Sequence, residues 1–159
     1  MSKKSIEEYA TEFRNAFDRV VSSGLFGKLR IFQGFPNGCC GYSSDLLAEY
    51  LIKNGIERDR IQRVSSESLK QRYTHVWLMI DEALFVDITA DQFNGKPYWQ
   101  HYEPIPSCCI VPRNTYLYES FDKLKTDYTN NVGIDSYCGS ISEQLHILFN
   151  AVIQILETE

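Results

Sequence analysis

Between residues 6 and 21 apolar side chains return at three- and four-residue steps. Ile6, Tyr9, Ala10, Phe13, Phe17, Val20 and Val21 fall along one face, which predicts an amphipathic helix. Ser5 with Glu8 three residues on is a capping box, pairing two amide donors that a helix start leaves open, and Gly24 offers a left-handed stop. The stretch "GLFGKLRIFQGFPNGC" that follows holds four glycines and a proline among scattered apolar residues and reads as loop. A second helix is expected from about Cys40 to Asn54, with Leu46, Leu47, Tyr50 and Leu51 as its buried stripe and Gly55 as its end.

Beyond Gly55 the period shortens. "RIQRV" is a short strand, and "THVWLMI" and "ALFVDIT" are stronger ones, separated by the polar pair "DE" suited to a tight turn. Neighbouring antiparallel strands would place His75, Trp77 and Met79 on one face, and Phe85, Asp87 and Thr89 likewise. That parity can aim one histidine and one aspartate the same way. After the turn-rich "QFNGKPYWQHYEPIPS", "CCIV" reads as a further strand, "YESFDKLKTDY" as a helix and "NNVGIDSYCG" as a loop. The last helix is expected from Ser140, with Glu143 completing a second capping box and Leu145, Leu148, Val152 and Ile155 as its apolar line. The sum is an α+β fold, residues 1–159 forming a single domain.

Charge narrows the partners. The chain carries a net charge of −5 with no basic cluster beyond its first residues, so nucleic acid is not an expected partner. It holds no apolar run of membrane-spanning length, and its start lacks a signal-peptide core. The expected compartment is the cytoplasm, with export lacking a cleaved signal also compatible. Five cysteines (Cys39, Cys40, Cys108, Cys109 and Cys138) leave one over if the rest pair, and a reducing compartment disfavours bridges. The two CC pairs raise the question of zinc, but adjacent cysteines seldom turn both sulfurs to one ion as C-x2-C spacing does. No metal and no cofactor is expected.

The chemistry worth weighing begins at "FPNGCCGYSSDLLAEYL". A thiol at a helix start is stabilised as thiolate by open amide donors and the helix dipole, and its own amide can serve a developing oxyanion. Small residues around it (Gly38, Gly41, Ser43 and Ser44) leave room for a substrate backbone. Such a thiol needs a base, and the base an orienting acceptor. Of the three histidines, His146 falls beside the apolar line of the last helix and reads as packing or surface. His101 lies in an aromatic loop and can rim a pocket. His75 opens a strand, and Asp87 follows in the strand expected beside it. Cysteines and single histidines are often plain core residues; a carboxylate in an apolar strand is harder to dismiss, because burying it without a partner is costly.

In this order the residues resemble the transglutaminase-like branch of the papain-like cysteine hydrolase superfamily: a helix-start cysteine, then "YLIKNGI", "THVWLMID" and "VDIT". The resemblance covers about Phe35 to Phe93, and the flanking helices are unmatched. It implies a Cys-bearing helix packed on a small antiparallel sheet that carries the His and the Asp. It assigns the nucleophile to Cys40, since the family's small residue and its Gly-Ile pair then fall on Ser44 and Gly55-Ile56. Cys39 shifts every count by one and stays the alternative. His75 matches the H-x-W position, Asp87 the D-x-T position, and Asp91 is a second acidic candidate. Papain-like enzymes place an oxyanion-binding Gln upstream of the cysteine, a role open to Gln33. The implied activity is acyl transfer or hydrolysis on an amide through a thioester (peptidase, amidase, glutamine deamidase or transglutaminase) with a protein or peptide as substrate. Tyr73, Trp77, Phe93, Tyr98 and Trp99 can line an aromatic groove. The competing reading is a catalytically silent binding, immunity or adaptor domain that keeps the fold. Oligomeric state is not legible.

Overall fold

The computed structural model describes residues 3–24, 29–69, 73–97, 99 and 103–158. Among these residues it is an α+β fold with three α-helices and one five-stranded antiparallel sheet. Helix α1 spans Ile6–Ser22, and its capping box is present: Ser5 Oγ accepts from the Glu8 amide while the Glu8 carboxylate accepts from the Ser5 amide. Gly24 ends it at φ +84°. Helix α2 spans Cys40–Lys53 and buries Leu46, Leu47, Tyr50 and Leu51, with Gly55 following at φ +91°. Both helices follow their sequence patterns.

The strands are β1 Ile61–Glu67, β2 Thr74–Ile80, β3 Leu84–Asp87, β4 Cys109–Pro112 and β5 Asp127–Thr129, in the order β4-β3-β2-β1-β5. Asp81 and Glu82 both take positive φ (53° and 56°), and with Ala83 they form the three-residue connection enclosed by the Ile80–Leu84 pair. Alternation divides the sheet. One face, with Ile61, Leu78, Ile80 and Val86, packs against α1, α2 and α3 (Gly139–Glu157). The other carries Val64, Trp77, Met79 and Phe85 into a second core with Phe93, Ile105, Leu117, Tyr118 and Phe121. Fully burying a side chain of the size of Phe17 stabilises by about 2–3 kcal/mol, and Phe13, Phe17 and Phe32 all lie at or near zero exposure.

Two expectations are corrected. The stretch 118–128 is not a helix: short turns at Tyr116–Ser120 and Lys123–Lys125 precede β5. Tyr118 and Phe121 face the second core while Leu124 is 96% exposed, so no helical stripe exists. The Asp122 amide instead donates to the Glu67 carbonyl, and the Asp122 side chain accepts from the Leu124 amide. Helix α3 begins one residue early, with Cys138 as an N-cap that makes no side-chain cap, so the Ser140–Glu143 capping box does not form. Ser140 already lies in the first turn, its carbonyl accepting from the Gln144 side chain.

The detail that positions the site is the shortness of β3. Its pairing with β2 runs from Ile80–Leu84 to Leu78–Val86 and no further, whereas β1 pairs with β2 back to Thr74. An antiparallel residue turns its N–H and C=O to the same side. Past Leu78, the edge of β2 that faces β3 is therefore open, and the start of α2 fills it. The Val76 carbonyl accepts from Ser44 Oγ at 3.4 Å, and the Val76 amide lies where it lowers the pKa of the Cys40 thiol.

Candidate active site

His75 and Asp87 share the second-core face, as their parity implies. Continuing the β2–β3 register sets Trp77 opposite Asp87, with His75 one diagonal step along. The ring closes the step: His75 Nε2 lies 2.6 Å from Asp87 Oδ2, with both side chains fully buried. Trp77 and Phe121 flank the imidazole in stacked geometry at 5.6 and 6.1 Å, and Phe93 meets it edge-on at 4.8 Å. These rings leave the imidazole little freedom to turn.

Every oxygen of Asp87 is occupied. Oδ2 accepts also from the Tyr118 hydroxyl (2.8 Å), and Oδ1 accepts from the Thr89 amide (2.9 Å) and hydroxyl (3.3 Å). Burial alone would raise the carboxyl pKa, but the neighbouring His75 and these donors outweigh it and hold Asp87 below its ordinary value. Burial likewise opposes a charge on His75, yet the Asp87 carboxylate and the Cys40 sulfur more than offset it, so the imidazole is raised above its usual pKa.

Cys40 comes to this pair from α2, close enough that the His75 ring acts on the pKa of its thiol. Nε2 is committed to Asp87, so a proton from Cys40 can go only to Nδ1, which the Gln92 amide nitrogen also approaches, at 3.2 Å. Burial would raise the thiol pKa, but the His75 contact and charge and the Val76 amide bring it below the ordinary value. With the thiol lowered and the imidazole raised, a proton passes between them at small cost. The Cys39 side chain makes no cap at the start of α2, so it does not compete for the first-turn amides.

Cys39 is placed differently. It is 2% exposed, packs into the helical core and is pushed up to about 12 by burial, which keeps it a thiol. Cys108 and Cys109 are raised by burial to about 11 and about 12. Asp91 does not meet His75; Arg14 takes both its oxygens, at 2.9 and 2.8 Å. Gln33 is exposed behind the short turn Arg30–Phe32, its side chain in no hydrogen bond among the described residues. Ser43 and Ser44 are buried, and Gly41 clears space for Arg63, whose Nη2 would lie 2.6 Å from an added Cβ. These small residues seat the helix rather than line a groove. Trp77 and Phe93 are core as well, Tyr73 meets Phe93 at a tilt and Phe121 edge-on, and Tyr98 and His101 lie outside the described residues. His146 is exposed and bonds within its own helix, to the Ser142 carbonyl.

Two participants had no sequence signal. Tyr118 lies thirty-one residues beyond Asp87 in a stretch read as a helix, and Gln92, whose Nε2 is 3.2 Å from His75 Nδ1, sits in an ordinary polar turn. Among the described residues, no group of three or more His, Cys, Asp or Glu is arranged to hold a metal ion. No helix among them is long and apolar enough to cross a membrane. The chain matches no protein-family model, no curated protein and no solved structure.

Proposed function

We propose that the protein is a cysteine-dependent enzyme that cleaves or transfers the acyl group of an amide, using Cys40, His75 and Asp87. The observation that carries this reading is the His75 imidazole held by a buried carboxylate at 2.6 Å, with the Cys40 thiol brought from the start of α2 to where that ring lowers its pKa. The helix on an antiparallel sheet is compatible with a transglutaminase-like, papain-like core, which we propose as its fold family.

In this mechanism His75 Nδ1 takes the Cys40 proton as the sulfur attacks the amide carbonyl. The oxyanion rests on the Cys40 amide, whose direction follows from its place at the helix start. His75 then gives its proton to the leaving amine, and the C–N bond breaks to leave a thioester. Water, or a second amine, resolves it while His75 again takes the proton. Asp87 keeps the ring oriented and offsets its positive charge. A protein or peptide amide is the proposed substrate.

The full burial of His75 favours one other reading, a binding domain that keeps these residues as packing. Labelling separates the two. An amide-like electrophile at neutral pH should modify Cys40 ahead of exposed Cys138, and His75→Ala should abolish that preference. Equal labelling of both cysteines in a folded wild type would refute the enzyme.

A further inference from the structure

Gln92 lies in the turn Ala90–Phe93, one residue after Asp91. Arg14 holds Asp91 and also donates to the Ile88 and Ser107 carbonyls, so this turn is pinned to α1. From that fixed base the Gln92 carboxamide nitrogen reaches three acceptors: His75 Nδ1 at 3.2 Å, the Thr89 carbonyl at 3.0 Å and, more loosely, the Thr89 hydroxyl at 3.4 Å. A main-chain carbonyl can only accept, so the atom beside it is the amide nitrogen and not the oxygen. One amide hydrogen serves Thr89 and the other points at the ring. A ring nitrogen that receives a hydrogen is bare, which puts the ring proton on Nε2, where it is donated to Asp87 at 2.6 Å.

Two groups thus pull one imidazole in opposite senses. Asp87, at Nε2, favours the imidazolium; Gln92, at Nδ1, can be satisfied only by the neutral ring. Once His75 carries the Cys40 proton, two N–H groups face each other. Turning the amide over would set its oxygen against the Thr89 carbonyl. We propose that Gln92 is a positioning residue that counterweights Asp87, holding the resting pair as Cys40 thiol and neutral His75, with the Nδ1 lone pair on the Gln92 amide until that bond gives way to the Cys40 proton. This inference rests on the reading of Cys40 and His75 as a working pair. The other ionisable groups facing the ring are Asp87 on β3, backed by Tyr118, and Cys40 on α2; behind Gln92, Asp91 is neutralised by Arg14.

The test follows iodoacetamide alkylation of Cys40 against pH, by peptide mass, in the wild type, Gln92→Met and His75→Ala. Removing the amide donor should lower the alkylation midpoint by roughly half to one pH unit, the worth of one neutral hydrogen bond. Below the midpoint that is about a three- to tenfold faster reaction. An unchanged or raised midpoint overturns the proposal, because a merely structural Gln92 would loosen His75 and raise it. Nitrogen NMR of the wild-type ring gives a second measurement that needs no variant. Near neutrality Nδ1 should resonate as an unprotonated nitrogen, and a protonated Nδ1 overturns the proposal. Failure of the underlying reading looks different: alkylation of Cys40 would then be indifferent to His75→Ala.

Discussion

Asp87→Asn is the sharpest perturbation of the proposed triad, because it changes one atom and one charge in a site with no spare hydrogen-bond capacity. In the wild type four donors meet the carboxylate: His75 Nε2, the Tyr118 hydroxyl, and the Thr89 amide and hydroxyl. An asparagine has one oxygen. If that oxygen stays on the Thr89 side, its NH2 confronts His75 Nε2–H, and the ring is satisfied only by moving its proton to Nδ1. That removes the lone pair that would take the Cys40 proton and opposes the Gln92 N–H. If the amide turns over, the NH2 confronts the Thr89 main-chain donor instead. Either way one buried donor is left facing another, at about 1–3 kcal/mol. For a chain of 159 residues, about 2 kcal/mol lowers the melting temperature by roughly 4–8 °C. With the carboxylate gone the imidazolium also loses its counter-charge, so the Cys40 alkylation midpoint should rise toward the free-thiol value of about 8.5. Turnover of an amide substrate should fall by about a thousand- to ten-thousandfold, the scale seen when a triad carboxylate is made neutral. The assay pairs calorimetry with alkylation across pH on the same preparation. A folded Asp87→Asn protein with an unmoved alkylation midpoint would refute the coupling between Asp87 and the thiol.

Other consequences follow from the same contacts. Arg14→Met strips the counter-charge and two carbonyl partners from a buried site and should cost about 3 kcal/mol or more in urea unfolding; a loss within experimental error would show Asp91 content with solvent. His75→Ala should destabilise by a similar amount, because Asp87 is left buried and charged, whereas His75→Leu combined with Asp87→Leu should recover most of it, since apolar pairs often match or exceed a buried ion pair. A double variant no more stable than the single one would contradict that arithmetic. Stability should also depend on pH on the acid side. The lowered Asp87 contributes stability above its unfolded pKa near 3.9, lost as pH falls through the folded value, so urea midpoints should drop as the pH is taken below that range.

Periodic burial was the part of the fold that the chain displays openly. The α1 and α2 stripes, the positive-φ turn at Asp81 and Glu82, and the parity of His75 with Asp87 all follow from local rules, and all are in place. What local rules miss are contacts made across the sheet. Tyr118 and Phe121 have helix-like spacing, yet the second core claims both rings and leaves Leu124 in water, so the segment becomes two turns and a strand. Trp77 and Phe93 carry the aromatic character of a groove lining, but half of this sheet is covered by a core that no single stretch announces. Cys39 and Cys40 are adjacent in sequence and opposite in environment. The helix start turns one sulfur into apolar packing and the other to His75, a difference of about a third of a turn that helix counting leaves open.

The end of β3 ties these observations together. Were β3 two residues longer, its ladder would reach the amide and carbonyl of Val76, and Cys40 and Ser44 would lose the groups that seat them. What stops β3 at Asp87 is visible in the bonds around it: the carboxylate folds back onto the Thr89 amide, and the chain enters the turn Ala90–Phe93, which Arg14 clamps through Asp91 and the Ile88 carbonyl. A single short segment therefore ends the strand, orients the imidazole through Asp87, and brings Gln92 to its other nitrogen. Arg14 is a buried cation lying over the Phe35 ring, and buried ion pairs are poor sources of net stability. Its position is best explained by what it fixes. Holding the turn fixes Gln92 and the carbonyl just past Asp87, and with them the opening in the sheet where the thiol meets the ring.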